Sequence, residues 1–278
     1  MGTNSEESIK SGLSKREALA LTRLAAQNKT VITISDIQNA LDISNDKAKK
    51  IAYNLEKKKW LDRLKRGVYL IVPLEAGEKA EYTEHEYVIV SHLADPMYIS
   101  YWTALNYHNL TEQVPLTVYA ATTSRVPAQQ IHNVEYKFVT VTEEKFFGYN
   151  TELVNKTQKV KIADIQKTLV DCADHPEYCG GITELAKAVS NAGREEVDWA
   201  IVSEYLLEVG NGAAIKRIVY LTDLFDIDLP RKDELKEAFT AGYSKLDPTR
   251  EDQGKHSSEY RLRLNVSKEE IREAGEQR

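Results

Sequence analysis

The residues of this 278-residue chain that could do chemistry form one basic group and several weaker constellations. The basic group runs from Lys49 to Arg66. Placed at about 100° per residue, Lys49, Lys50, Tyr53 and Lys57 share one side of a helix, with Asn54 at its edge, while Ala48, Ile51, Ala52 and Leu55 share the other. Arg63, Lys65 and Arg66 follow in "LDRLKRGVYL", where alternating apolar residues and a glycine predict a hairpin with a basic tip. Cationic groups ranged along one face can neutralise phosphates, and Tyr and Asn can hydrogen-bond to base edges or backbone. These residues are therefore the candidates for contact with double-stranded DNA. A Lys-rich helix is more often a solvated face, so the order of elements around it has to decide. Lys58 and Lys59 fall away from the outward face.

The other constellations carry less. Cys172, His175 and Cys179 in "DCADHPEYC" suggest zinc, but the segment has no Cys-x-x-Cys pair and no fourth ligand. The two cysteines read as free thiols. Glu135 and Lys137 alternate in "VEYKF", the spacing by which metal-dependent nucleases set a cation ligand beside an ammonium, yet the preceding "PLTVYAATTS" has no second carboxylate. Solvent-face charges are the better reading. His85 and His92 lie seven apart, two turns from each other, and read as core or surface histidines. There is no P-loop, Gly-x-Gly-x-x-Gly or Gly-x-Ser-x-Gly, so neither a catalytic residue nor a cofactor is expected, and nothing argues for an enzyme.

The elements that would hold the basic group can be read in turn. Ser14 is a plausible N-cap for a helix through "SKREALALTRLAAQN", with Leu19, Leu21, Leu24 and Ala25 as its stripe and Asn28 as its stop. "TVITIS" predicts a short strand, and Ser35 with Gln38 offers a capping box for a second helix that buries Ile37, Ala40 and Leu41. Ser44 can cap a third helix, "NDKAKKIAYNLEKKKW", before a hairpin built on Trp60, Leu61, Leu64, Val68 and Leu70. Helix, strand, helix, turn, helix, hairpin is the order of a winged helix-turn-helix.

The expected architecture is α+β: a loose terminus at 1–13, a winged helix-turn-helix at 14–73, and a larger mixed α/β domain at 82–278. Pro73 and the acidic "LEAGEKAEYTE" make the linker. Beyond it, "EHEYVIVSHL", "SYWTALNYHN", "DIQKTLVDCAD", "GITELAKAVSNA", "DWAIVSEYLLEVG" and "AAIKRIVYLTDLF" predict helices. "LTVYAAT", "VEYKFVTV", "KVKIA" and "EYRLRLNVS" predict strands.

Charge follows the same division. Residues 1–72 hold 14 Lys and Arg against 8 Asp and Glu, whereas the whole chain carries a formal charge of -6. The basic portion suits a polyanion and the acidic remainder does not. An apolar content of 42% suffices for a core, no run approaches a membrane span, and "MGTNSEESIKSG" lacks the apolar centre of a signal peptide. A cytoplasmic location without membrane contact is expected.

Three segments of the second domain resemble a known family. "MYISYWTALNYHNLTEQVP" (97–115), "KIADIQKTLVDCADHPEYCGG" (161–181) and "AIKRIVYLTDLF" (214–225) look like the recurring segments of the AbiEi antitoxins of type IV toxin-antitoxin systems. "RGVYLIVP" is similar to the end of that family's amino-terminal domain, so the resemblance runs from Ser14 to the end of "RLRLNVS". One departure is His108-Asn109, where the family pattern has His-Gly. The resemblance implies a transcriptional autorepressor that binds inverted repeats upstream of its own operon. It also implies an antitoxin for abortive infection, a phage defence, acting against a nucleotidyltransferase-like toxin that it need not bind directly. Two alternatives stay open: a winged helix fused to a nuclease-like domain, and a protein-binding scaffold.

Overall fold

The computed structural model describes residues 10–74, 84–154, 158–193 and 197–276. The fold is α+β, in two compact units: one holds the described residues up to Leu93 together with those in 153–159, and the other holds the rest. Most of the expected linker lies outside the described residues. The sequence starts the second domain at 82, whereas the packing starts the second unit at Ala94.

In the first unit the chain forms α1 (Lys15–Ala26), β1 (Val31–Thr33), α2 (Ile34–Leu41), α3 (Asn45–Lys57), β2 (Leu61–Lys65), β3 (Val68–Ile71) and α4 (Glu86–Ser91). The three strands make an antiparallel sheet in the order β1-β3-β2, with Val31 opposite Leu70 and Leu61 opposite Ile71. Leu24, Ile32, Ile37, Ala48, Ala52, Leu55, Leu61 and Tyr69 form its core. At roughly 1.5–3 kcal/mol for each large apolar side chain, that burial is what folds three short helices, none of which would persist alone in water.

Details of this unit differ from the sequence reading. Ser14 does cap α1, in a capping box with Glu17, but the buried stripe is Glu17, Ala20 and Leu24. Leu19 is 43% exposed, and Ala25 is exposed as well. The stripe runs through Glu17 because Lys58 neutralises that carboxylate. The cap of α2 is Thr33 with Asp36, two residues before the expected Ser35 and Gln38, since the helix leaves β1 without a linker. Asp42 ends α2 in the left-handed conformation, and Ser44 is the N-cap of α3 without a side-chain capping bond. Residues 10–13, expected to be loose, are tied down: Lys10 donates to the Val72 carbonyl at 3.1 Å, and Trp60 Nε1 donates to Ser11 at 2.9 Å.

The second unit is built on a mixed six-stranded sheet. Its strands are β4 (Met97–Ile99), β5 (Thr117–Thr122), β6 (Gln129–Ile131), β7 (Val134–Thr140), β8 (Tyr149–Leu153) and β9 (Lys159–Ala163). Their order is β6-β7-β5-β4-β9-β8, with β5 parallel to β7 and β4 antiparallel to β5. The helices are α5 (Tyr101–Tyr107), α6 (Ile165–Asp174), α7 (Ile182–Ala192), α8 (Trp199–Val209), α9 (Gly212–Leu224) and α10 (Lys232–Glu237). A small sheet of β10 (Ser244–Lys245), β11 (Lys255–Ser257) and β12 (Leu262–Leu264) precedes α11 (Lys268–Glu276).

Inside this unit Lys167 is fully buried and pairs with Asp171, which also accepts the hydroxyls of Ser100 at 2.6 Å and Tyr98 at 3.1 Å. The charges are matched and their hydrogen bonds are made. Such a network orients α6 against the sheet rather than exposing reactive groups.

Candidate nucleic-acid interface

α3 is amphipathic because Ala48, Ala52 and Leu55 recur at spacings of four and three and are fully buried. Most of the residues opposite them face solvent. Lys49, Lys50 and Lys57 are exposed, Tyr53 is 62% exposed, and Asn54 is half-buried at the edge of the face. The structure thus brings five of the sequence-nominated residues onto one surface of one helix. Lys57, in the last turn, also meets the negative end of the helix dipole.

Two neighbours on this surface were missed. Lys47 is exposed beside Asn54, and Asp46, in the first turn, lies 3.5 Å from the Lys49 ammonium. The same helical wheel would have found both, had acids and the opening turn been included.

The three residues after Tyr53 and Asn54 that carry the visible lysine run have different fates. Lys57 stays on the face, whereas Lys58 turns back to Glu17 at 2.6 Å. Lys59 is exposed but leaves the helix at a φ of 64°.

The hairpin β2–β3 supplies the rest. Arg63 and Arg66 are exposed, and Gly67 turns the chain at a φ of 78°, a conformation that a β-carbon would strain. An irregularity in the register between Arg63 and Lys65 bends the strand near its tip. Lys65 departs from the expectation of a free wing cation: it is half-buried and its ammonium donates to the Leu93 carbonyl at 2.8 Å. Burial lowers its pKa. Lys65 therefore ties the wing to the segment after α4, because an ammonium with a carbonyl in reach and little water satisfies itself there.

The structure also places the weaker constellations. Cys172 and Cys179 are buried free thiols, and burial pushes the Cys172 thiol well up. His175 stands between two carboxylates, 2.9 Å from Glu177 and 3.8 Å from Asp174. Among the described residues no group of three or more His, Cys, Asp or Glu could hold a metal ion. Glu135 and Lys137 form a half-buried pair at 3.2 Å, and Glu135 accepts the Thr117 hydroxyl at 3.0 Å. The hydrogen bond from Lys137 to Glu135 raises the lysine's pKa. His85 caps α4 by accepting the Tyr87 amide at 3.2 Å, and His92 closes the helix's other end. No helix among the described residues is long and apolar enough to cross a membrane.

α1, α2 and α3, the β1-β3-β2 sheet and the exposed cationic face of α3 make the core of the first unit a winged helix-turn-helix. Residues 20–72 match the family described as "Transcriptional regulator, AbiEi antitoxin". That match spans most of the winged helix, from within α1 to just past β3. Among solved structures, the RV2827C protein from Mycobacterium tuberculosis is similar in fold, with a TM-score of 0.64 at 15% identity over 93% of this chain and 94% of that one. No curated protein matches the chain.

Proposed function

We propose that this protein is a sequence-specific transcriptional autorepressor and the antitoxin of a type IV toxin-antitoxin system. It acts by binding, without catalysis or cofactor, in the cytoplasm. The observation that carries the reading is the exposed face of α3, where Lys49, Lys50, Tyr53 and Lys57 stand together within the residues that match the AbiEi regulator family. α3 enters the major groove, its lysines grip phosphates on either side, and Tyr53 and Asn54 supply hydrogen bonds. Arg63 and Arg66 carry the field onto the wing, over the neighbouring backbone, and Lys65 holds the wing in position.

The target would be inverted repeats in the DNA ahead of the protein's own operon, and the functional counterpart a nucleotidyltransferase-like toxin. Support for these finer points comes from the resemblance of the 97–115, 161–181 and 214–225 segments. Two experiments test the reading. A mobility-shift titration with the upstream DNA should give a retarded complex that competitor DNA of random sequence does not remove. Co-expression with the neighbouring reading frame should rescue growth that this frame alone arrests. Cleavage of DNA by the purified protein with magnesium or manganese, lost on Glu135→Ala, would favour the nuclease alternative.

A further inference from the structure

Asp46 interrupts the basic face of α3. On the helical wheel it falls between Tyr53 and Lys57, inside the cationic sector, and its side chain is 94% exposed. Lys49 lies 3.5 Å away, and Lys50 occupies the position one turn on, at i+4. A surface that only gripped phosphates would gain nothing from a carboxylate at this place, because every phosphate nearby repels it.

Base edges offer something that phosphates lack. Cytosine presents its N4 amine in the major groove, and a carboxylate accepts from it. Guanine N7 and O6 and thymine O4 are all acceptors and would repel Asp46. Adenine sets an acceptor, N7, directly beside its amine, so it is a poorer partner for two carboxylate oxygens than cytosine is. The first turn of a recognition helix is also the part that reaches deepest toward the bases.

Resting on the DNA-binding reading above, we infer that Asp46 fixes one base pair of the recognised sequence by accepting the N4–H of a cytosine in the major groove. Its charge weakens binding to DNA that lacks a cytosine at that place, so it raises discrimination at the expense of general affinity. The competing account is structural: an acid in the first turn favours the helix dipole, and Ser44 supplies no capping bond of its own. That account predicts an effect on the stability of α3 and none on base preference.

The test is selection of duplexes from a pool with randomised positions, using the full chain, Asp46→Ala and Asp46→Asn. The wild-type protein should select a C·G pair at one position of each half-site. Asp46→Ala should lose that preference alone, by roughly five- to a hundredfold, the range that one good base contact carries. Asp46→Asn should move it toward adenine, which offers asparagine a donor and an acceptor side by side. Both variants should bind random-sequence DNA at least as tightly as the wild type. An unchanged base profile in the variants overturns the inference, as does uniform weakening at every position with loss of hydrogen-exchange protection in α3. If the wild-type protein itself selects no sequence, the DNA-binding reading fails, and the inference with it.

Discussion

Lys58 donates its ammonium to Glu17 at 2.6 Å across 41 residues of sequence, joining the end of α3 to the start of α1. Glu17 is 2% exposed and also closes the capping box with Ser14. One lysine of the conspicuous basic run is therefore a structural clasp, and its loss should act on stability rather than on DNA. Lys58→Ala leaves a buried carboxylate unpaired and should cost about 1–3 kcal/mol, less than a fully buried pair because Lys58 keeps some contact with water. Hydrogen exchange of α1 in the full chain would register it. Unchanged protection would mean that Glu17 finds another donor.

The same pair sets a pH dependence. Burial alone would raise the pKa of Glu17, but the hydrogen bonds from Lys58 and Ser14 outweigh it and hold the carboxyl below its ordinary 4.5. Its contribution to stability is thus present above pH 4.5 and is lost as pH falls below that value toward the depressed folded pKa. Protection of α1 should fall as pH drops through this range, and Glu17→Gln should flatten the fall. Equal acid sensitivity in the two proteins would assign the loss to other carboxylates, Asp36 among them, whose pKa is held down by Lys29 and Thr33 against the effect of burial.

Lys65 and Lys57 should separate by salt. On the proposed DNA-binding reading Lys57→Ala removes a phosphate contact, so the slope of log affinity against log salt should become shallower by about 0.9. Lys65→Ala removes the bond to the Leu93 carbonyl and should weaken binding by loosening the wing, with the slope kept. A slope change in Lys65→Ala would return that ammonium to the phosphate contacts.

In the second unit, Lys167→Met should destabilise by about 3–5 kcal/mol, because it strands Asp171 among buried groups. Replacing both residues, Lys167→Met with Asp171→Leu, should cost less than Lys167→Met alone. Urea unfolding of the two variants measures the difference. A double variant less stable than the single would show that Asp171 is held by Ser100 and Tyr98 independently of the lysine.

What could be read from the sequence was governed by range. The outward face of α3 was legible because it depends only on the period of one helix, and Ala48, Ala52 and Leu55 fix that period. The fate of Lys65 was not, since it depends on a carbonyl 28 residues away. Leu19 reads as core in the sequence, whereas the buried stripe runs through Glu17, whose partner Lys58 lies 41 residues away. The cap at Thr33 was missed because a strand passing straight into a helix leaves no turn residues as a signal. Met97–Ile99 is a strand of three buried residues, too short to show a period, yet it holds the middle of the sheet between β5 and β9. Asp46 was passed over because a basic face invites counting cations only.

On the proposed function, the exposed face of α3 and the wing tip bind DNA through phosphate contacts. Fluorescence anisotropy of the full chain on the DNA upstream of its gene, titrated with salt, compares the wild-type protein with the Lys49→Ala, Lys50→Ala, Arg66→Ala triple variant. The variant should bind more weakly, with a slope shallower by about 2.7, three lost phosphate contacts at about 0.9 each. The same affinity and the same slope in both proteins would contradict it.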